Sequence, residues 1–524
     1  MALVITLAMT AWVIFVILFK GLNFFWPGDI VSVDLQDGKS YMGELWDENE
    51  TGNPETDQLQ LKIGNRDIYG LDFIWLNKKD VTNTTYKNDA VTFEREEYGN
   101  FYGVIQDVHI NERYFDNTTI DFFDEVEDAH KLALETSHRI EEIRNDVASL
   151  MIPSSELQRE IALIEISSEA KTEESRTTIK KLYDEISFLE QEIEPQILAF
   201  NKELEELVLK DRANYLTVQE ASGQTQKIAF SSIVRLYQPN EMGVFGKSVH
   251  YIAKVWEFVA DYPRESNTEG GVFPAIFGTV LMVLLMSIAV VPIGVMAAIY
   301  LNEYANQGTI VRFIRLSVNN LAGVPSIVFG VFGLGFFVYV VGGSIDQLLF
   351  SDTLPEPTFG TGGILWASLT LALLTLPVVV VATEEGILAV PRANKEGALA
   401  LGATKWQMIR NIVLPNAMPG ILTGLILAIS RGAGEVAPLM ITGVVKLAPS
   451  LALDWSFPFL HLDRKFMHLG FHIYDVGFQS PNVEAAKPMV YSTALLLIII
   501  VVLLNMFAIY VRNNLRKKFK TATF

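Results

Sequence analysis

Hydrophobic and polar positions follow three different periods along this chain. Long apolar runs with few or no charges fall at 2–19, 273–301, 321–341, 363–382, 421–443 and 489–511. Each can cross a hydrocarbon core about 30 Å thick as a helix rising about 1.5 Å per residue. The pattern therefore predicts six membrane spans. No basic residue precedes the first run and no small-residue cleavage site follows it, because Lys20 leads into Phe24, Phe25 and Trp26. A retained span is expected rather than a cleaved signal.

Between the first two spans the period changes. Val31, Val33 and Leu35 alternate before Asp37-Gly38, and Leu59, Leu61 and Ile63 before Gly64-Asn65. This predicts strands joined by tight turns over 29–120, with a second β-rich stretch at 214–238. The two stretches could share one sheet or barrel. The interval 127–210 is helical in pattern: Ile140, Ile143, Val147 and Leu150 step by three and four, as do Ile179, Leu182, Ile186, Leu189 and Ile193. With the polar 167–175 as the turn, an antiparallel coiled-coil hairpin is expected, interrupted or kinked at Pro153 and Pro195. The sequence GVFGKS at 243–248 lacks the first glycine of a phosphate-binding loop, since Glu241 stands there. A plain loop before a helix is expected.

Charge separates these parts. The chain has 524 residues with a net charge of −20, of which 21–262 carries 47 acids and 23 bases, a net of −24. The other residues hold 14 acids and 18 bases, a net of +4. An acidic soluble insert at 21–262 is thus set into a weakly basic membrane protein whose core is 263–524. Acidity argues against nucleic acid as a partner, because phosphate backbones reward Lys and Arg. With no cysteine, disulfides and thiolate metal sites are excluded, and no metal site is expected. If the basic 512–520 is cytoplasmic, six spans put the N-terminus, Arg312, Arg315, Arg392, Lys395, Lys405 and Arg410 on that same face, as the positive-inside bias requires. The insert then lies outside the cytoplasm.

The polar interval 396–415 stands between two spans. Glu396, Ala398, Gly402, Ile412, Leu414 and Pro415 fit the spacing E-x-A-x3-G-x9-I-x-L-P. Small residues give a slim helix able to approach another surface, Gly402 suits the turn that ends it, and Pro415 would start the next helix. An amphipathic connector is the alternative. Further on, Arg431 and Glu435 sit four apart in an apolar run, where charges face a cavity or a partner. They form either a permanent ion pair that pins the helix or a site where the forked Arg431 attracts an oxyanion and Glu435 orients it. Asn320 and Ser326, beside the helix-breaking Pro325, either donate to a pathway or let helices pack closely. Gly323, Gly330, Gly333 and Gly335 are assigned to packing.

The 396–415 spacing resembles the cytoplasmic coupling loop of permease subunits in ABC importers. More narrowly, GEVAPLMITG at 434–443, with Pro438, NNLAGVPSIVFGVFGLG at 319–335 and VPRANKEGALALGATKWQ at 390–407 are similar to segments of the PstA type of permease in phosphate importers. Val436 stands where that family usually has Thr, and the insert resembles its long variants. The resemblance implies an α-helical polytopic membrane protein with the type I ABC importer permease fold and an extracytoplasmic α+β insert, in a bacterial inner membrane. It implies a transport subunit with no catalytic residues or ATP site of its own. Its partners would be a second permease of PstC type, two PstB-type ATPase subunits carrying ATP and Mg, and a PstS-type phosphate-binding protein. A permease for sulfate or molybdate, or a transporter-derived sensor using the insert, remain the alternatives.

Overall fold

The computed structural model describes residues 1–50, 56–111, 113–166, 172–351, 353–480 and 483–520. It divides into two compact units. The first comprises Met1–Phe24, Phe258–Pro263 and Gly271–Phe524; the second comprises Phe25–Glu257 and Arg264–Gly270. Residues 264–270 thus belong with the unit that holds the expected insert. In the first unit, helix α1 (Ala2–Asn23) opens the chain.

The second unit begins with β1 (Ile30–Leu35), β2 (Ser40–Asn49), β3 (Gln58–Lys62), the short helix α2 (Arg66–Tyr69), β4 (Phe73–Asn77) and β5 (Val81–Thr85). Their antiparallel sheet runs β4-β3-β2-β1-β5 and buries Val31, Val33, Leu61, Ile63 and Leu76. After β6 (Ala90–Arg95), β7 (Phe101–Ile110) and β8 (Arg113–Asp116) the chain leaves as three helices. These are α3 (Phe122–Leu150), α4 (Ile152–Ile166) and α5 (Glu173–Ala213). It returns as β9 (Tyr215–Gln219), β10 (Thr225–Ala229) and β11 (Ile233–Tyr237), giving a second sheet ordered β10-β9-β7-β6-β11. Strands from both β-rich stretches do share a sheet, but among the described residues the strands of 29–120 are divided between two sheets rather than gathered in one. Strand β1 already has β2 on one edge and β5 on the other, so β6 and β7 find their partners across the helical excursion.

Along that excursion α5 runs back past α4 and α3. Arg139 Nε reaches Glu203 Oε1 at 3.0 Å, and Ile161, Leu182 and Ile186 are buried together. The expected turn at 167–175 falls in part on residues 167–171, which lie outside the described residues. The prolines act unequally. Helix α3 stops just before Met151, and Pro153 sits in the first turn of α4, where a missing N–H costs nothing. Pro195 does not interrupt α5, which runs on through it. The GVFGKS stretch is not a loop: α6 (Val244–Ala260) includes its Lys247, which is paired with Asp29.

Helix α6 also carries buried charge. Lys254 Nζ lies 2.8 Å from Glu94, Arg235 3.0 Å and Arg264 2.7 Å from Glu257. Burial would raise the Glu94 carboxyl, but Lys254 and Arg235 hold it down to about 2. His250 packs its ring 4.3 Å from that of Tyr237. Burial, joined by Arg235 and Lys254 and opposed by Glu94 and Glu257, pushes its imidazole down to about 4.

The rest of the first unit is helical. After α7 (Phe273–Ile299), extended by a π turn to Tyr304, come α8 (Thr309–Leu321), α9 (Ser326–Phe332) and, through a π-helical segment, α10 (Gly343–Leu349). Then follow α11 (Ile364–Leu388), α12 (Arg392–Ala400), α13 (Lys405–Met408), α14 (Leu414–Gly432), α15 (Ala437–Thr442), α16 (Leu469–Tyr474) and α17 (Val483–Lys520). Six stretches among the described residues are long and apolar enough to cross a membrane: Ala2–Asn23, Phe273–Tyr304, Ser326–Leu349, Ile364–Leu388, Lys405–Gly432 and Ala486–Asn514. All six are bounded somewhat differently from the expected runs, and two differ most, the fifth beginning already at Lys405. The third starts at Ser326 because Pro325 breaks the backbone there, and the fifth ends at Gly432 because residues 433–436 turn before α15. Helix α11 is the most enclosed, packed between α7 and α14, whereas α1 touches its unit chiefly through α17. There Ser492 Oγ donates to the Gly21 carbonyl at 2.9 Å.

Because His250 titrates below its ordinary 6.5 in the folded unit, the unfolded chain binds more protons between pH 6.5 and about 4. Its contribution is complete above pH 6.5 and is lost as pH falls through that window. His250→Phe should flatten the acid decline by at most about 3 kcal/mol between those limits, leaving the Glu94 contribution, lost below pH 4.5, in place. Thermal unfolding of the detergent-solubilised chain across pH 4 to 7.5 measures it; an unchanged slope would remove His250 from the acid response.

Candidate functional site

The 396–415 stretch folds as two helices around one glycine. Helix α12 ends in a reciprocal hydrogen-bonded cap: Gly402 N donates to Leu399 O at 3.0 Å and Ala403 N to Ala398 O at 3.1 Å. Gly402 itself sits at φ 85°, where a Cβ would be strained. Two residues later Thr404 caps α13, accepting from Gln407 N at 3.3 Å while its own N–H donates to Gln407 Oε1 at 2.8 Å. The helix that follows continues through a π turn at Ile409–Val413 into α14. Pro415 therefore does not start a helix. The capping box starts it earlier, and the π turn absorbs the N–H that Pro415 lacks.

One side of this pair is core and the other is open. Ala398, Met408, Ile409 and Val413 are buried with Ile299, Val380, Ile387 and Val390, and Ile412 and Leu414 pack against them half-buried. Glu396 and Gly402 face outward, as do Leu399, Leu401 at 91% exposure and Trp406 at 56%. A Cβ at Gly397 or Gly402 would meet nothing within 4 Å. The outward face is thus slim, mixes Glu396 with apolar side chains, and is uncovered by the described residues.

Ion pairs fasten the module to the long helices. Lys395 Nζ lies 2.6 Å from Glu303 Oε1, and Lys405 stands 4.9 Å above the Tyr304 ring. Arg315 Nε reaches Glu384 Oε1 at 3.2 Å, which also accepts from Asn302 Nδ2 at 3.1 Å. Sequence reasoning missed Glu303 and Glu384. Their signal is an acid at the end of an apolar run, on the face where basic residues collect.

At the far end of the same helix stands Arg431. It occupies the last turn of α14, and Glu435 lies beyond the helix in the turn 433–436, so no single helix presents the two. They still meet: Arg431 Nε is 3.6 Å from Glu435 Oε1, with the two side chains 33% and 23% exposed. That is an ion pair longer than a hydrogen bond, so the guanidinium keeps donors to offer. Pro438 is buried in the first turn of α15. Ser326 is half-buried at the start of α9, while Asn320 is exposed on α8, so a turn at 322–325 separates them. Of the glycines assigned to packing, two fit. A Cβ on Gly330 would lie 2.8 Å from Pro438 Cα, and one on Gly333 would lie 2.2 Å from Thr370 Oγ1. Gly335 faces open space and Gly323 only its own turn, so neither fits the packing role.

The model of the binding-protein-dependent transport system inner membrane component matches residues 290–521. Among curated relatives, the probable ABC transporter permease protein YqgI of Bacillus subtilis is 30% identical over 268 residues, 50% of this chain and 85% of that protein. The phosphate transport system permease protein PstA 1 of Mycobacterium tuberculosis is 36% identical, over 46% of this chain and 71% of that protein. The phosphate transport system permease protein PstA of Yersinia pestis is 34% identical, over 47% and 74%. The chain belongs to this inner-membrane component family. Of solved structures, the inward-facing MetNI methionine ABC transporter aligns at 18% identity and a TM-score of 0.33, covering 50% of this chain and 98% of that one.

The family match makes the chain a multi-pass membrane permease, and it covers both the outward-facing helix pair and Arg431. In this permease the contact of α9 with α15 has no room to spare. Gly330→Val should cost about 1–3 kcal/mol, because the obstacle is Pro438 backbone rather than a movable side chain. Thermal melting of the purified chain checks it; an unchanged midpoint would show that the two helices separate freely.

Proposed function

We propose that this chain is the membrane-spanning permease subunit of an ATP-driven phosphate importer, coupled to separate ATPase subunits through 396–415. The observation that carries the reading is the outward face of α12 and α13, with Glu396, Leu401 and Trp406 exposed around Gly402 and open space over both glycines. Its similarity to phosphate-transport permeases supplies the substrate. The GVFGKS stretch lacks the first glycine of a phosphate loop, since Glu241 stands there, and its Lys247 pairs with Asp29. ATP and Mg²⁺ belong to the two PstB-like partners that dock on the helix pair. A PstC-like permease completes the translocation path, and a PstS-like protein delivers the anion.

The face bearing the helix pair is cytoplasmic, in a bacterial inner membrane, and both termini share that side, a reading supported by the basic residues gathered there. The acidic unit is then extracytoplasmic. Docking moves α12 and α13, and Lys395–Glu303 and Lys405–Tyr304 carry the displacement into α7 while the continuous helix carries it toward Arg431. Arg431 offers charge-assisted hydrogen bonds to phosphate, and Glu435 orients it at 3.6 Å without saturating it. Ser326 and Pro438 line the same path in this reading, and Asn320 stands at its approach. Alternating access then follows from two helix arrangements with different exposure of that site.

Accumulation of labelled phosphate, against sulfate and molybdate, by the reconstituted complex tests the substrate; selective accumulation of either rival would replace phosphate. Arg431→Gln should abolish uptake while the complex still assembles, and undiminished uptake would take Arg431 out of the pathway. Gly402→Trp should leave the ATPases bound but sever hydrolysis from uptake. Normal stimulation of hydrolysis by the loaded binding protein, with normal uptake, would refute the docking face.

A further inference from the structure

Helix α6 is built the wrong way round for a helix in water. Every exposed side chain along it is apolar: Val244, Phe245, Val249, Ile252, Ala253 and Trp256. Phe245, Val249, Ile252 and Trp256 stand at steps of four, three and four, so they form one stripe over three turns. They are 83%, 53%, 67% and 71% exposed. The charged and polar side chains take the opposite face. Lys247 pairs with Asp29, Lys254 lies 2.8 Å from Glu94 and 3.1 Å from Glu257, and His250 stacks on Tyr237. A helix on a hydrated surface turns its apolar stripe to the core and its charges outward. Here the ion pairs face the protein and the stripe faces away from it.

The end of this helix is tied to a membrane span. Helix α6 runs without interruption to Ala260, and its last turn, from Phe258, belongs to the helical unit. Val272 N donates to Phe258 O at 2.8 Å, and Phe273 N to Asp261 O at 3.1 Å. Phe273 is the first residue of the span Phe273–Tyr304. The stripe therefore starts, at Trp256, within one turn of a residue bonded to the point where the chain enters the bilayer.

The chemistry of the stripe selects its partner. A contiguous exposed apolar patch marks a surface that something else covers. Protein interfaces surround such a patch with polar groups that fix the register, whereas this stripe has neither a charge nor a hydrogen-bonding chain of its own beyond the Trp256 indole. Trp and Phe on an otherwise aliphatic face suit the boundary between headgroups and acyl chains. The region 21–262 carries a net charge of −24, so anionic headgroups would not attract it, and apolar burial has to supply the binding.

We propose that α6 is a membrane-surface helix, with Phe245, Val249, Ile252 and Trp256 seated in the lipid leaflet from which Phe273–Tyr304 departs, tethering the acidic unit to the bilayer. That this leaflet is the extracytoplasmic one rests on the orientation given above; the lipid contact does not.

The chain contains no cysteine, so a single introduced thiol can carry a nitroxide. Val249→Cys and Ile252→Cys place it on the stripe, and Gln191→Cys on an exposed turn of α5 serves as the control. The full chain is reconstituted alone in phosphatidylcholine vesicles. Both stripe labels should be relaxed by oxygen and shielded from a water-soluble nickel chelate, at a depth of about 5–10 Å below the headgroups. The control label should show the reverse. High salt should leave the shielding unchanged, because apolar burial is not screened. Nickel access at the stripe equal to that of the control would overturn the tether, as would shielding that salt abolishes. Shielding from both reagents, with spin–spin broadening, would assign the stripe to a second copy of the chain. Shielding that arises only when another permease subunit is added would assign it to that subunit, and either result overturns the lipid contact. Labels shielded in the cytoplasmic leaflet would uphold the tether and refute the orientation alone.

Discussion

The contact on which the helical unit depends is the crossing of α11 and α14, where no side chains intervene. A Cβ on Gly420 would lie 2.7 Å from Gly386 Cα, and one on Gly386 would lie 2.9 Å from the Ala417 carbonyl. Apolar side chains gain nothing by leaving lipid for each other, so helices at membrane depth associate through such close backbone approach. Here the approach fixes the helix from Lys405 to Gly432 against the most enclosed helix of the unit. That helix is about 40 Å long at 1.5 Å per residue. It exposes Trp406 near one end and holds Arg431 at the other. One continuous helix, held against α11 at two glycines, joins the two ends.

Electrostatics divides the same helix into unlike ends. Near Trp406 the charges are matched: Lys395 with Glu303 at 2.6 Å, Arg315 with Glu384 at 3.2 Å. These pairs keep most of their side-chain surface away from solvent, so breaking one partner away costs more than a surface pair would. At the other end Arg431 and Glu435 meet only at 3.6 Å, across the end of a helix rather than along it. One end is closely paired, and the other only loosely.

Hydropathy made the six apolar stretches legible, because their period and length leave few alternatives. Their ends were not, and the reason is local backbone chemistry. Pro325 and the turn 433–436 cut runs that read as continuous, so Asn320 separated from Ser326, and Glu435 left the helix of Arg431. Pro415 misled in the opposite direction, since Thr404 and Gln407 had already nucleated the helix before it. In the acidic unit the alternating strands were plain, but their partners were not. Pairing β7 with β9 and β6 with β11 spans the helices Phe122–Ala213, a distance that local patterning cannot report. Glu303 and Glu384 went unread because each matters only through a cation distant in sequence.

The π-helical turns coincide with side chains that tie distant parts of this unit together. Among the described residues they occur at Tyr300–Tyr304, Gly333–Gly342, Ile409–Val413 and Asp475–Gln479. A π turn holds an extra residue, which weakens the local hydrogen-bond ladder and re-aims the side chains that follow. The first presents Glu303 and Tyr304 to Lys395 and Lys405. The third joins the outward-facing α13 to α14, and the fourth brings Asp475 to Lys446. The second begins at Gly333, where the helix presses against Thr370. The first and fourth thereby bring charged or aromatic side chains to cations distant in sequence, and periodicity fails there because the chain departs from the regular 3.6-residue turn.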